Sequence, residues 1–272
     1  MEIKIVQPLH VIEEKIYMNN IRKVFEKGTA FIPFITCGDP SLDVTKEAVI
    51  EMEKAGADLI ELGIPFSDPT AEGPLIQEAN LRALKNQITT DDIFQMVREL
   101  RETVKIPMVF MAYANVVFSY GVERFVATCK EIGIGGLILP EIPFEEKREF
   151  DEICKKYDVD LISTIAPTSK ERIGMIAKEA EGFVYCVSSA GEKENALFSH
   201  IGSMIKKVKK ERNIPCAVGI ESSSLDHIKE LAKKVDGIIA GSTIVKLCEK
   251  YGIHAPFHIG NYVKEVKMIL TE

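Results

Sequence analysis

The amino-acid sequence predicts an α/β fold, a single (β/α)8 barrel with an extra helix at its N-terminal end. Short apolar runs alternate with longer amphipathic stretches about eight times along 272 residues, of which 46% are hydrophobic. The apolar runs are continuous, which is typical of parallel strands buried on both faces. No G-x-G-x-x-G motif follows the first run, and this disfavours an open, doubly wound nucleotide-binding sheet. Eight strand–helix units in a chain of this length favour the closed barrel.

The strands are predicted at the apolar runs, which are residues 30–35, 59–62, 108–112, 136–139, 161–164, 183–187, 216–218 and 237–240. Helices are predicted where apolar residues recur at helical spacing, for example at 42–55, 91–103, 122–132, 144–156, 222–234 and 243–250. The additional helix is predicted at 12–28, ended by Gly28, where it would cover the open bottom of the barrel. The sequence contains no linker-like or low-complexity segment, so we expect one domain over residues 1–272.

Composition and charge exclude several classes of protein. The net charge is −7 and both signs are interspersed, unlike the basic surface of a nucleic-acid binder. Six scattered cysteines without a C-x-x-C pair indicate buried, reduced thiols, and five scattered histidines show no metal-ligand spacing. No apolar run approaches the ~18 residues that suggest a membrane span, and the first residues contain no signal-peptide core. We therefore expect a cytoplasmic enzyme without a metal or a membrane association.

Two carboxylates stand out near the second predicted strand. Glu61 lies at the end of its apolar run, and Glu72 follows eleven positions later in a loop rich in proline and glycine. A carboxylate in a buried strand is costly to remove from water, so it is seldom there for packing alone. Two carboxylates in one cleft can have different pKa values and serve as acid and base. We expect both to be catalytic, with burial giving Glu61 the higher pKa.

The ends of the other strands suggest what the site binds. Gly219 and the pair Gly241-Ser242 follow the last two strands, where barrels of this kind recurrently bind phosphate. Gly219 is equally compatible with a tight turn, whereas Gly241-Ser242 opens a predicted helix and favours phosphate. Asp39 and Tyr113 follow the first and third strands and are expected at the mouth. Apolar side chains from several strands also converge there, namely Phe34, Met111, Ile138, Tyr185, Val187, Ile220 and Ile239. The pattern predicts a phosphorylated substrate with an aromatic or apolar part.

Nearly the whole chain also resembles the tryptophan synthase α subunit family. The matching stretches are residues 31–36 with 38–40, 57–74, 77–83, 113–115 with 120–125, 166–169 with 171–173, and 241–246. The resemblance implies cleavage of indole-3-glycerol phosphate to indole and glyceraldehyde 3-phosphate, without a cofactor in this chain. It also implies a heterotetramer with a pyridoxal-phosphate-containing β subunit, which condenses the indole with serine in tryptophan biosynthesis.

The resemblance further implies individual roles. Glu61 would move a proton at the C3′ hydroxyl or at the indole carbon, and Glu72 would take the indole N–H proton. The remaining substrate contacts it implies are Phe34, Tyr185 and Ile220 around the indole and Gly241 and Ser242 at the phosphate, with Tyr113 and Gly219 close by. The loop containing Pro65, Asp68 and Pro69 would meet the β subunit, helped by Pro143 and the region of Asn115.

Four departures from the family pattern leave the activity open. Glu72 and Glu141 stand where the family has Asp, Glu221 replaces a Gly, and residues 188–194 lack the Thr and Gly of the usual loop after the sixth strand. Glu192 and Lys193 would form a lid, with Lys193 closing onto Glu72 or offsetting Glu221. Two alternatives therefore remain, a paralogue acting on another substrate and a non-catalytic partner of a β subunit.

Overall fold

Eight parallel strands form a closed barrel in chain order in the computed structural model, which describes residues 21–187, 194–220 and 224–271. The strands are β1 (Ala30–Thr36), β2 (Ile60–Gly63), β3 (Met108–Met111), β4 (Gly136–Ile138), β5 (Asp160–Ile165), β6 (Val184–Cys186), β7 (Cys216–Ile220) and β8 (Gly237–Ala240). The predicted (β/α)8 barrel is confirmed, and most strand ends lie within one residue of their predicted positions. β7 is the main exception because it continues two residues further, where Gly219 pairs with Ile239.

The register of β1, β2 and β3 places Glu61 inside the barrel. Phe34 and Val109 lie opposite Glu61 on the two neighbouring strands, and both belong to the apolar cluster that fills the barrel interior. Successive side chains of a strand point to opposite faces. Ile60 and Leu62 accordingly belong to the outer cluster between strands and helices. Glu61 therefore replaces an apolar residue in one layer of the interior.

Helices surround the barrel and connect its strands. Those that the structure describes are α1 (Leu42–Lys54), α2 (Pro74–Lys85), α3 (Thr90–Leu100), α4 (Ala114–Tyr120), α5 (Val122–Glu131), α6 (Arg148–Lys156), α7 (Ile173–Glu179), α8 (Glu194–Glu211), α9 (Leu225–Ala232), α10 (Ser242–Tyr251) and α11 (Ala255–Thr271). Several begin at side-chain caps that the sequence supplies. Thr89 and Asp92 form a reciprocal capping box before α3, and Ser41 caps α1. The predicted helix over 144–156 divides into a 3-10 turn at Phe144–Glu146 and α6.

The bottom of the barrel is covered by the chain that precedes β1. A 3-10 helix at Ile21–Lys27 buries Ile21 and Val24 against the interior cluster, and the Phe25 ring lies 5.5 Å from the Phe183 ring. Gly28 follows with a φ of +122°, a conformation that glycine adopts easily. The described part of the predicted N-terminal helix thus covers the bottom as expected. Its first residues, 12–20, lie outside the described residues.

The sequence also supports predictions about the cysteines and about membrane-spanning helices. All six cysteines are buried, as their scattered positions predict. None of the helices in the described ranges is both long and apolar enough to cross a membrane.

Candidate active site

A cavity of about 420 Å³ opens where the strands end, within the range of small-molecule sites. The residues that line it are Phe34, Glu61, Ala71, Glu72, Gly73, Pro74, Leu75, Ile76, Met111, Tyr185, Val187, Gly219, Ile220, Ile239, Gly241, Ser242 and Lys246. Both predicted catalytic carboxylates and most of the predicted apolar side chains therefore meet in one space. Ile138 is the exception among the apolar residues, since it is fully buried in the interior cluster and does not line the cavity.

Glu61 is a buried carboxylate that has no hydrogen-bond partner among the described residues. Its side chain is fully buried, and no donor in the described part of the chain lies within hydrogen-bond distance of either oxygen. Burial, and secondarily the nearby charge of Glu72, raise the pKa of Glu61 to about 8. A buried carboxylate is stable without a partner only if it carries a proton, because its charged form has lost its water. At neutral pH Glu61 is therefore mainly a proton donor.

Glu72 lies in the loop between β2 and α2 and is partly buried. Burial raises its pKa to about 7, below that of Glu61. Its backbone is held on both sides, because its N–H donates to the Pro69 carbonyl at 3.1 Å and its own carbonyl accepts from the Gln77 side chain at 2.9 Å. Glu72 is thus the carboxylate that ionises first, and its main chain is fixed at the cavity edge.

A small network under this loop explains how Glu72 is positioned. The Tyr113 hydroxyl accepts the Ala71 N–H at 3.0 Å, and the Phe66 and Tyr113 rings stack with centroids 5.1 Å apart. Buried Asn80 of α2 accepts the Phe66 N–H at 2.8 Å. Tyr113 does not line the cavity, so the structure does not place it at the substrate position expected from the sequence. It supports the loop instead.

Glycines allow the aromatic rings to reach the cavity. A Cβ at Gly63 or Gly241 would lie 2.6 Å or 2.9 Å from the Phe34 ring, and one at Gly219 would lie 2.8 Å from the Tyr185 ring. Such separations are shorter than real side-chain contacts allow, so a larger residue at any of these positions would force the neighbouring ring to move. Gly219 lies within β7 and not in a turn. The sequence suggests two roles for Gly219, a phosphate contact and a tight turn. The close approach to the Tyr185 ring is a third role, which the sequence did not reveal.

The Tyr185 phenol lies near both carboxylates. Burial, followed by the charges of Glu61 and Glu72, raises the pKa of Tyr185 well above its ordinary value. The phenol therefore remains neutral in the working pH range. Tyr185 presents the cavity with a ring and a neutral hydroxyl, and it adds no charge.

The start of α10 supplies hydrogen-bond donors to the same cavity. The first helical hydrogen bond joins the Val245 N–H to the Gly241 carbonyl, so the amides of residues 242–244 precede the helical pattern. Helix N-termini with free amides and a positive dipole end favour anions. Lys246, one turn beyond Ser242, also lines the cavity. Sequence reasoning missed Lys246, although its spacing of four residues from Ser242 indicates a shared helix face.

Asp39 does not reach the cavity as the sequence suggested. It is almost fully buried, and its two oxygens accept from Nε and Nη2 of Arg82 on α2, both at 2.8 Å. This bidentate pair ties the loop after β1 to α2. Asp39 is therefore a structural residue, and its position at a strand end did not determine its role.

The loop predicted to meet a β subunit has both buried and exposed members. Pro65 and Pro69 are buried, whereas Asp68 is exposed and accepts from the Ser67 hydroxyl at 2.6 Å. The prolines shape the loop, so Asp68 is the member available for a partner.

Exposed Glu141 accepts the Ala114 N–H at the first position of α4, which gives this departure from the family pattern a helix-capping role.

The remaining predicted site residues, Glu192 and Lys193, lie outside the described residues, as does Glu221. A contact between Lys193 and Glu72 therefore stays a prediction. Within the described ranges, no group of three or more His, Cys, Asp or Glu side chains is arranged to hold a metal ion.

Known proteins resemble this chain over most of its length. The family model described as tryptophan synthase alpha chain matches residues 21–267. The tryptophan synthase alpha chain from Alkaliphilus metalliredigens is 45% identical, over 81% of this chain and 84% of that one. The tryptophan synthase alpha chain from Lacticaseibacillus casei is 38% identical, over 92% of this chain and 95% of that one.

Solved structures resemble it equally broadly. Tryptophan synthase subunit alpha from Legionella pneumophila superposes with a TM-score of 0.85 and 32% identity, over 93% of this chain and 99% of that one. A chain of the tryptophan synthase complex from Pyrococcus furiosus superposes with a TM-score of 0.81 and 32% identity, over 88% and 98%. The chain therefore belongs to the tryptophan synthase alpha chain family of lyases.

Proposed function

We propose that this protein cleaves indole-3-glycerol phosphate to indole and glyceraldehyde 3-phosphate in the cavity described above. The observation that carries the proposal is the pair of carboxylates in one cavity, with pKa values of about 8 and about 7. Near neutral pH such a pair contains a protonated Glu61 and a substantially ionised Glu72. An acid and a base are therefore available together, as a reaction that both delivers and removes protons requires.

The reaction breaks one C–C bond and moves two protons. The bond between indole C3 and the C3′ carbon breaks, the C3′ hydroxyl loses its proton to become the aldehyde, and indole C3 gains a proton. Ionised Glu72 takes the indole N–H proton as C3 becomes tetrahedral and returns it when the ring regains aromaticity. Protonated Glu61 delivers a proton to C3 and receives one from the C3′ hydroxyl. No atom is gained or lost, and both carboxyls return to their starting states.

The rest of the cavity suits the two ends of this substrate. The rings of Phe34 and Tyr185 provide apolar faces for an indole ring, assisted by Ile220. The free amides at the start of α10 and the Ser242 hydroxyl suit the phosphate. The neutral state of Tyr185 keeps a further negative charge away from a substrate that already carries a phosphate dianion.

A β subunit is the proposed partner. The similar Pyrococcus furiosus chain comes from a tryptophan synthase complex, which supports a partner for this member of the family as well. Asp68 is exposed in the loop that leads directly to Glu72, and Phe118 of α4 exposes nearly half of its side chain. A partner seated on this loop would act on the position of Glu72 and thereby on the reaction rate.

The test is indole release from indole-3-glycerol phosphate, measured with and without a β subunit. We expect slow release by this chain alone and faster release with the β subunit. Glu72→Gln is expected to lower kcat by about a hundredfold or more, the usual contribution of a positioned base. Glu78→Gln is the matched control, because Glu78 is an exposed residue of α2 outside the cavity lining. No indole release under either condition would contradict the proposal.

A further inference from the structure

We infer that Lys246 is the residue that selects the phosphorylated end of the substrate by charge. This inference rests on the proposed function, because it concerns the phosphate end of the same cavity. It begins from an imbalance of charge in the lining. Among the described lining residues the ionisable side chains are Glu61, Glu72, Tyr185 and Lys246, and Lys246 is the only cation. Backbone amides alone would otherwise have to offset the charge of a phosphate dianion.

The geometry of α10 directs Lys246 toward the anion position. Lys246 lies four residues after Ser242, so the two side chains share one helix face with Cβ atoms about 5–6 Å apart. Side chains on a helix also point back toward its N-terminus. We therefore expect the ammonium of Lys246 to extend along the helix toward the amides at its start. Ser242 and Lys246 both line the cavity, as this arrangement requires.

Lys246 is also without a partner elsewhere in the described part of the chain. Many of the other lysines pair with a carboxylate or lie over a ring, as Lys46 does with Glu99 and Lys250 with Tyr251. No such contact with a described residue holds the Lys246 ammonium. It is exposed on the solvent side of the cavity, so binding a phosphate costs it no existing ion pair.

This placement determines what the residue contributes. An exposed ammonium interacts with a bound phosphate through a short, partly solvated contact, which is screened by salt. Its contribution is therefore to the affinity for phosphorylated ligands, and it takes no part in the proton transfers at Glu61 and Glu72. We expect Lys246 to discriminate indole-3-glycerol phosphate from its dephosphorylated form and to retain the glyceraldehyde 3-phosphate product.

The experiment is calorimetric binding of sn-glycerol 3-phosphate and, separately, of indole to the whole chain and its Lys246→Met variant. We expect the variant to bind glycerol phosphate about two- to fivefold more weakly, the effect of one exposed ion pair at low salt, and to bind indole as the parent does. Lys246→Arg should retain most of the affinity. Lys250→Met is the matched control, since it removes a lysine one turn further along α10 and outside the cavity lining. The loss should shrink as ionic strength rises.

Equal glycerol phosphate affinity in the parent and in Lys246→Met would overturn the inference, and so would the absence of measurable binding to the parent. The proposed function has its own readout. If indole-3-glycerol phosphate is cleaved but the KM of Lys246→Met is unchanged, only the inference fails. If cleavage is absent but glycerol phosphate binding depends on Lys246, only the proposed reaction fails.

Discussion

Asp39 and Glu61 are buried carboxylates near the ends of two neighbouring strands, and the protein surrounds them in opposite ways. Asp39 receives a bidentate pair of hydrogen bonds from Arg82, whereas neither oxygen of Glu61 meets a donor from the described residues. Both side chains are almost fully withdrawn from solvent. Burial is therefore the same in the two cases, and the difference lies in the partner.

The partner decides whether a buried carboxylate is structural or chemical. A guanidinium at 2.8 Å gives Asp39 a charged hydrogen-bond partner and joins two segments of chain. Without a partner, Glu61 has a pKa near neutrality and can exchange a proton with a ligand. A search for active-site acids by burial alone would select both residues, whereas a search for buried, unpartnered carboxylates beside a cavity selects Glu61.

The largest expected effect is on catalysis at Glu61. Glu61→Gln keeps the shape of the side chain and removes its ability to transfer a proton. We expect kcat for indole release to fall by about 10²–10⁴, the usual contribution of a general acid or base, with little change in KM. Steady-state kinetics on the folded variant measures this. A variant that retains more than a tenth of the parent rate would remove Glu61 from the chemistry.

The next effect is on stability at Asp39. Asp39→Asn leaves Arg82 with only its longer pair to the exposed carboxylate of Glu249, at 3.9 Å. We expect a loss of about 3 kcal/mol, at the lower end of the cost of breaking a buried ion pair, because Arg82 keeps this second partner and some contact with solvent. The midpoint of urea unfolding should fall accordingly. Glu152→Gln is the control, because its pair with Arg148 is exposed and should contribute less than about 1 kcal/mol. Equal losses in the two variants would show that burial does not distinguish these pairs.

The free energy of unfolding should also depend on pH through Glu61. Its pKa is about 8 in the folded chain against an ordinary value of 4.5, so the folded state binds more protons between these two pH values. The contribution of Glu61 to the free energy of unfolding is therefore greatest below about pH 4.5 and is lost as the pH rises through about 8. We expect Glu61→Gln to be more stable than the parent at pH 8 by about 2–4 kcal/mol and nearly equal at pH 5. Urea unfolding at both pH values measures this, and a difference that does not vary with pH would contradict it.

The smallest expected effect is at Tyr113, which acts on Glu72 through the loop. Tyr113→Phe removes the acceptor of the Ala71 N–H and should destabilise the fold by about 1 kcal/mol. We also expect kcat to fall several-fold, because small displacements of a catalytic group slow a reaction, while the KM for the substrate changes little. A raised KM with unchanged kcat would instead assign Tyr113 to substrate binding.

Local sequence patterns are sufficient to predict the barrel and the main elements of the site. Continuous apolar runs and helical periodicity are local signals, so the strands and most of the predicted helices appear where they indicate. Glu61 was identified because a carboxylate interrupts an apolar run, and Phe34 and Tyr185 were identified because they lie on strands that end at the mouth. Glu72 followed from its place in the loop after β2, and the structure brings it to the same cavity as Glu61.

Which side chains meet depends on how the whole barrel folds and cannot be predicted from local patterns. Asp39 is paired with a residue 43 positions away, and the Tyr113 hydroxyl holds a loop 42 positions before it. Pro65 and Pro69 are buried by packing that their local sequence does not reveal. The tertiary structure also brought Lys246 to the cavity. Local periodicity fixes where a chain is helical or extended, but partners across the barrel depend on closure of the whole sheet, and those partners determine what each polar residue does.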